Sequence, residues 1–348
     1  MSIAYPIPGP LGVGEILDRA FRLYRVRFGT LLLGAAIFLI PLGILSGAVT
    51  GNILVSYFDM VTEMASNPDM TPQEATDLAE RFGDAGGSFA ASLLVMAAGA
   101  VLNGLAGLTL TAMALAALGG REVSLGTAMR DGAGRLVHYL LMLVTEGFVM
   151  GAATLAILFP LACGGLGLLL ALGAGSSEAL ATGPSSTAGV AAGTTMVLVV
   201  LLWLGLFGLA LIPMLYLSAR WIAAIPALVH QGSGPLGALG RSWSLTRRQV
   251  LRCFGYALLL FLLGQVVTTV LGFLLQIPVS VFAPESVAGM LSGAAGAVGQ
   301  VLWLPIQAIA AVILYFDLRT RKEGYDLALR VAQLEEAGRP PGVEVPAP

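Results

Sequence analysis

Long apolar runs, each introduced by a short arginine-bearing segment, organise this chain. The first junction is Gly14 to Leu33, GEILDRAFRLYRVRFGTLLL. Helical spacing puts Ile16, Leu17, Ala20, Phe21, Tyr24 and Phe28 on one stripe there, with Glu15, Asp18, Arg19, Arg22 and Arg25 opposite. The pattern predicts an amphipathic helix in the headgroup plane that feeds an apolar span over about 30–54. Glu15 to Arg19 and Asp18 to Arg22 are acid-before-base pairs at i,i+4, so part of the basic face is neutralised internally.

Five further spans are expected at about 90–117, 139–160, 195–218, 253–277 and 293–316, each near the roughly 20 residues that cross a bilayer. Thr71-Pro72-Gln73-Glu74 reads as a capping box that opens a short helix ending near Phe82. The apolar run Val137 to Gly175 is too long for one straight span, since about 39 residues make roughly 58 Å of helix. It must break near Pro160 and Gly164-Gly165 or make two spans; one span with an outer extension is the reading adopted. A second basic amphipathic stretch, Leu236 to Arg252, precedes the fifth span, and the chain after Asp317 is polar, with a short amphipathic helix expected at Tyr325 to Ala337 before a Pro-rich tail.

Composition narrows the class. Apolar residues make up 57% of the chain and charged ones 11%, outside the soluble range. The expected fold is all-α: a polytopic membrane protein with six transmembrane helices and cytoplasmic amphipathic interfacial helices. Of 18 basic residues, 17 arginines and one lysine, only Arg81 falls in a loop assigned outside. That asymmetry places both termini in the cytoplasm, and the arginine bias with heavy Ala and Gly use suggests a bacterial cytoplasmic membrane. The first 13 residues lack Lys and Arg and are interrupted by Pro6, Pro8 and Pro10, so no cleavable signal peptide is expected. Cys163 and Cys253 have no metal or disulfide spacing and read as packing residues.

The arginine-bearing segment recurs. Arg19, Phe21, Leu23 and Arg25 match Arg241, Trp243, Leu245 and Arg247 at an offset of 222, and a weaker middle copy spans Ser124 to Arg135. Leu215-Tyr216 followed by Arg220 likewise matches Leu314-Tyr315 followed by Arg319. The reading is a weak threefold internal repeat in a membrane domain over 1–327, with units at about 11–118, 122–231 and 233–327, and a tail over 328–348. The plainer alternative is that any inside-facing helix start collects arginines and an aromatic. Three stretches, LGVGEILDRAFRLYRVRFG, RWIAAIPALVHQGSGPLGALGRSWSLTRRQ and LYFDLRTRKEGYDL, resemble the membrane domain named after glycerophosphoryl diester phosphodiesterase. The resemblance covers about 11–327 and implies a multi-pass domain found with or without a catalytic partner. It implies no phosphodiesterase activity here, because His138 and His230 are the only histidines and no barrel-sized soluble domain is present.

Candidate chemistry is sparse. Glu146 lies about 8 residues into the third span, roughly 12 Å deep, where an unpaired charge is costly. With Asn103, Gln265, Gln300 and Gln307 it is a candidate intramembrane polar site; the plainer reading is hydrogen-bonded packing between helices. Arg220 and Asp317 are a candidate ion pair joining the fourth and sixth spans, against ordinary positive-inside anchoring. Arg19, Arg22, Arg25, Arg241, Arg247 and Arg248 are candidate contacts to lipid headgroups, against a plain topology role. Gly289, Gly293 and Gly296–Gly299 give small-residue spacing for close helix packing. No catalytic residue, metal ligand or cofactor is expected, and nucleic acid is not. Membrane lipids are the expected partners, with a membrane-protein partner or a second copy as further candidates. The leading function is a non-enzymatic scaffold or lipid-associated membrane protein. The alternative is a transporter or channel for a small solute or lipid around Glu146, to which Pro41, Pro160, Pro213, Pro278 and Pro305 would contribute helix breaks.

Overall fold

The computed structural model describes residues 11–50, 72–173, 197, 201, 203–205, 208–209 and 212–324. All regular structure among them is helical, as a lipid-embedded backbone requires when no water can satisfy its N–H and C=O groups. In chain order the helices are α1 (Val13–Val26), α2 (Phe28–Thr50), α3 (Pro72–Leu118) and α4 (Leu125–Gly173), then a helical stretch at 212–221. They continue with α5 (Ala224–Gln231), α6 (Pro235–Thr246), α7 (Val250–Phe282) and α8 (Glu285–Glu323). Six helical stretches are long and apolar enough to cross a membrane: Phe28–Val49, Ala90–Leu118, Leu125–Phe159, Ile212–Gln231, Val250–Phe282 and Val287–Glu323. Most of the fourth expected span, and the expected helix at Tyr325 to Ala337, lie outside the described residues.

The helices are longer and less interrupted than the residue pattern predicts. α3 begins at Pro72 as expected but runs on past Phe82 through Gly86-Gly87 to Leu118. α4 passes through Pro160 and Gly164-Gly165 to Gly173 without a break. Likewise α2 continues through Pro41, α7 through Pro278 and α8 through Pro305. The physical reason is cooperativity: a span supplies the nucleus, and each added residue gains a backbone hydrogen bond without a second nucleation cost. A glycine costs only about 1 kcal/mol in a helix interior.

The chain divides into two compact units. The larger comprises Met1–Leu140, Ala223–Leu245 and Leu259–Pro348; the smaller comprises Leu141–Ile222 and Thr246–Leu258. Within the larger unit α8 is the axis, touching α1, α2, α3 and α5, while α2 packs on α3 and α3 on α5. Small residues allow this. Gly43 and Gly47 of α2 meet Gly289 and Gly293 of α8 backbone to backbone, so a methyl at any of them would collide with the facing chain. Gly264 of α7 lies under the Trp303 indole, and Gly299 of α8 lies against Thr268 of α7. Close packing is thus found at Gly289, Gly293 and Gly299, whereas Gly296 has open space beside it. Gln276 donates to Ser292 across α7 and α8 at 2.9 Å. The α8 core includes Ile309, Ile313, Leu314 and Tyr315, all essentially inaccessible.

α1 turns only part of its apolar stripe into the protein. Ile16, Ala20, Leu23 and Tyr24 are buried, whereas Phe21, Val26 and Phe28 stay exposed beside Arg22, Arg25 and Arg27. The helix therefore has a protein-facing side and an outward side that is both apolar and basic. Burial pushes the Tyr24 phenol above its ordinary pKa. The smaller unit has its own buried centre, with Met142, Leu217, Ala219, Cys253 and Tyr256. There Arg220 donates from Nε and Nη2 to the Tyr216 hydroxyl, at 3.1 and 2.9 Å, and stacks 5.3 Å above its ring.

Candidate functional site at the end of the last helix

The polar centre of the larger unit is built on the final turns of α8, Asp317 to Glu323. Helical geometry places residues four apart on one face, so Asp317 meets Arg321 and Arg319 meets Glu323. These two pairs face different neighbours. Asp317 is completely buried. Its Oδ1 accepts the Leu11 N–H at 2.7 Å, and Arg321 Nε donates to both carboxylate oxygens at 3.2 and 3.1 Å. Arg321 Nη2 then donates to the Leu11 carbonyl at 2.9 Å. Both backbone groups of the residue leading into α1 are thus held by one ion pair on α8. Glu15 adds a cap, accepting the Gly12 N–H at 2.6 Å.

The other pair holds α6. Glu323 takes Arg319 at 3.0 Å and also pairs with Arg241 of α6, and Lys322 donates to the Ser244 carbonyl at 2.8 Å. α8 then stops at Gly324, whose left-handed φ of 62° suits glycine, with its N–H on the Thr320 carbonyl. Gly120 after α3 and Gly232 after α5 adopt the same conformation, at φ 68° and 64°.

A third set surrounds the end of α5. Arg135 of α4 donates to the carbonyls of Leu228 and Val229, which carry the negative end of that helix. His230 lies 5.8 Å from the Tyr315 ring and 5.4 Å from the Phe316 ring, and its Nε2 is 3.3 Å from Arg319 Nη1. Gln231 donates to the Tyr315 hydroxyl at 3.0 Å. This is a hydrogen-bonded and ionic arrangement that fastens helix ends. Among the described residues no group of three His, Cys, Asp or Glu could hold a metal ion.

The domain of unknown function DUF7847 matches residues 13–318. The chain belongs to that family. No curated protein and no solved structure matches it. The matched span begins at the first residue of α1 and ends one residue after Asp317, so it includes Asp317 but neither Leu11 nor Arg321.

The residues singled out from sequence are distributed as follows. Asn103, Gln265, Gln300 and Gln307 are all exposed positions of the larger unit, and no hydrogen bond joins them to one another among the described residues. Asn103 satisfies its amide on its own helix, donating to the Gly99 carbonyl at 3.0 Å. Glu146 is half-buried in α4 within the smaller unit. Arg220 belongs to the smaller unit and Asp317 to the larger, each with the partners given above. Of the candidate headgroup arginines, Arg22, Arg25, Arg247 and Arg248 are exposed and Arg19 is half-buried. Arg22 pairs with Asp18 at 2.9 Å. Arg241 is engaged by Glu323 rather than presented outward. Sequence reasoning missed the hold on Leu11 and the role of Arg135. The available signal was Asp317 itself, an acid at the end of an apolar helix followed by an arginine four residues on.

Proposed function

We propose that the protein is a non-enzymatic integral membrane protein that associates with anionic lipid, seated in the bacterial cytoplasmic membrane with its arginine-rich helix ends toward the cytoplasm. The observation that carries this reading is the outward side of α1. Phe21, Val26 and Phe28 stand exposed between Arg22, Arg25 and Arg27, which is the combination that seats a helix at a charged interface. The opposite side of α1 is buried and its start is held by α8, so the surface is presented rigidly. The likeness of three stretches to the membrane domain named after glycerophosphoryl diester phosphodiesterase supports a membrane role and assigns no reaction.

Arg22 is paired with Asp18, so at about 1 kcal/mol per basic residue near an anionic surface Arg25 and Arg27 favour anionic over neutral lipid by roughly thirtyfold. The test is retention of phosphatidylglycerol against phosphatidylcholine by the purified protein, read by native mass spectrometry. A preference for phosphatidylglycerol that falls in the variant R22Q/R25Q/R27Q is expected; equal retention of both lipids by the wild type would contradict the reading.

A second reading, passage of a small solute or lipid around Glu146, draws on that half-buried acid within an apolar helix and on the prolines inside α2, α7 and α8. It is favoured if proteoliposomes move fluorescent lipid between leaflets faster than empty vesicles do and the Glu146→Gln variant, made at normal abundance, does not.

A further inference from the structure

We propose that the turn before α7 is a separate seat for one anionic phospholipid, with its phosphate on Arg247 and Arg248 and an acyl chain along Leu251 and Gly255. The seat deepens the lipid reading and rests on it for the membrane alone, since no residue of α1 takes part.

The seat lies wholly within the smaller unit, on its segment Thr246–Leu258. Its base is fixed by burial and by two hydrogen bonds. Thr246 is completely buried and donates from its hydroxyl to the Arg220 carbonyl at 3.4 Å, while the Gln249 N–H closes the turn on the Thr246 carbonyl at 2.9 Å. Cys253 and Tyr256, three apart on one side of α7, are completely buried as well. Leu251 and Gly255, four apart, fall on the opposite side. Leu251 is 87% exposed there, and Gly255 has open space beside it.

Arg247 and Arg248 are both exposed, and neither has an ion pair or a hydrogen bond among the described residues. The neighbouring arginines are engaged differently: Arg252 is half-buried and donates to Gln249 at 3.2 Å, and Arg220 is turned to Tyr216. No acid stands between Glu178 and Glu285 in the sequence. Among the described residues of the smaller unit the one acid is Glu146, set within the apolar run of α4. In α1, by contrast, Asp18 takes up Arg22 at 2.9 Å. The turn before α7 thus carries positive charge that no carboxylate offsets.

From Val250 onward α7 is long and apolar enough to cross a membrane, so the two residues before it stand at headgroup depth. Forked guanidinium donors match phosphate oxygens. A soluble acidic partner would reach these arginines but not the apolar side that continues into the span; a phospholipid reaches both.

The full chain is tested in nanodiscs with a trace of phosphatidylglycerol that carries a photoactivatable group on its acyl chain. Labelled peptides are identified by mass spectrometry. Label on 247–258 is expected, displaced by unlabelled phosphatidylglycerol roughly thirtyfold more effectively than by phosphatidylcholine, which is the gain from two basic residues at an anionic surface. R247Q/R248Q, which breaks no contact seen among the described residues, should abolish that preference, and R22Q/R25Q/R27Q should leave it unchanged. Equal displacement by the two lipids, or a preference that survives R247Q/R248Q, overturns the proposal. A preference confined to α1 overturns this seat and leaves the lipid reading standing; one confined to 247–258 supports the seat and contradicts the α1 reading.

Discussion

The lead-in to the second helix and the lead-in at the middle of the chain carry arginines at related positions, yet only the first is a separate helix. α1 ends at Val26 and α2 begins at Phe28, with Arg27 out of helical conformation between them. In the middle, the stretch from Leu125 runs straight into the span as part of α4. The late lead-in follows the first: α6 begins at Pro235 and α7 at Val250, each 222 residues after Val13 and Phe28 (235 − 13 and 250 − 28). Matched side chains share environments, with Leu23 and Leu245 buried and Phe21 and Trp243 exposed to 38% and 39%. The two broken lead-ins share one partner, α8, whereas the continuous one is held through Arg135 on the end of α5. α8 holds the start of α1 through Asp317 and Arg321, and holds α6 through Lys322 and Glu323. A short helix set off from its span needs such a fastening, because on its own it is marginal in water.

The largest effect should come from cutting the first fastening. Asp317→Ala leaves Arg321 and the Leu11 N–H without their acceptor in a buried place, at a cost of about 3 to 5 kcal/mol. Arg130→Ala, on an exposed position of the continuous lead-in, should stay within about 0.5 kcal/mol. Chemical unfolding in detergent compares them, and equal losses would remove the distinction drawn here.

Next is the helix pair that follows the first lead-in. Gly293→Ala drives a methyl into the Gly43 and Gly47 backbone of α2 and should cost about 1 to 3 kcal/mol. Gly147→Ala in α4, with open space around it, should be neutral or stabilising by up to about 1 kcal/mol. A harmless Gly293→Ala would mean that α2 and α8 do not touch through their backbones.

Smaller again is the hold on α6. Glu323→Gln removes its partly exposed ion pairs with Arg241 and Arg319, and about 1 kcal/mol is expected from the same unfolding measurement. Least of all, Arg22→Ala removes only the exposed pair with Asp18, worth a few tenths of a kcal/mol. A loss above that of Glu323→Gln would show that the outward side of α1 is structural.

While most of the fourth span, expected at about 195–218, lies outside the described residues, the other five were legible because apolar length is a local property. So were the starts at Pro72, α1 and α6, which capping residues and amphipathic spacing mark. Continuity was not: a helix end near Phe82 and a break near Pro160 and Gly164-Gly165 were expected, since a residue pattern registers local cost and not the nucleus that an adjoining span provides. Asn103, grouped with Glu146 in the candidate polar set, donates to the Gly99 carbonyl of its own helix. The hold on Leu11 joins residues 306 apart and uses backbone atoms on one side, which no side-chain pattern encodes. Asp317 could be chosen from sequence; its partner at Leu11 could not.

The central claim is that the end of α8 fastens the two broken lead-in helices through different residues. Amide hydrogen exchange in Asp317→Asn and Glu323→Gln tests it most directly. Asp317→Asn should speed exchange over 11–26 and leave 235–246 unchanged, Glu323→Gln should do the reverse, and 125–135 should hold steady in both. Unchanged exchange in both lead-ins, or the same increase in all three segments, would contradict it.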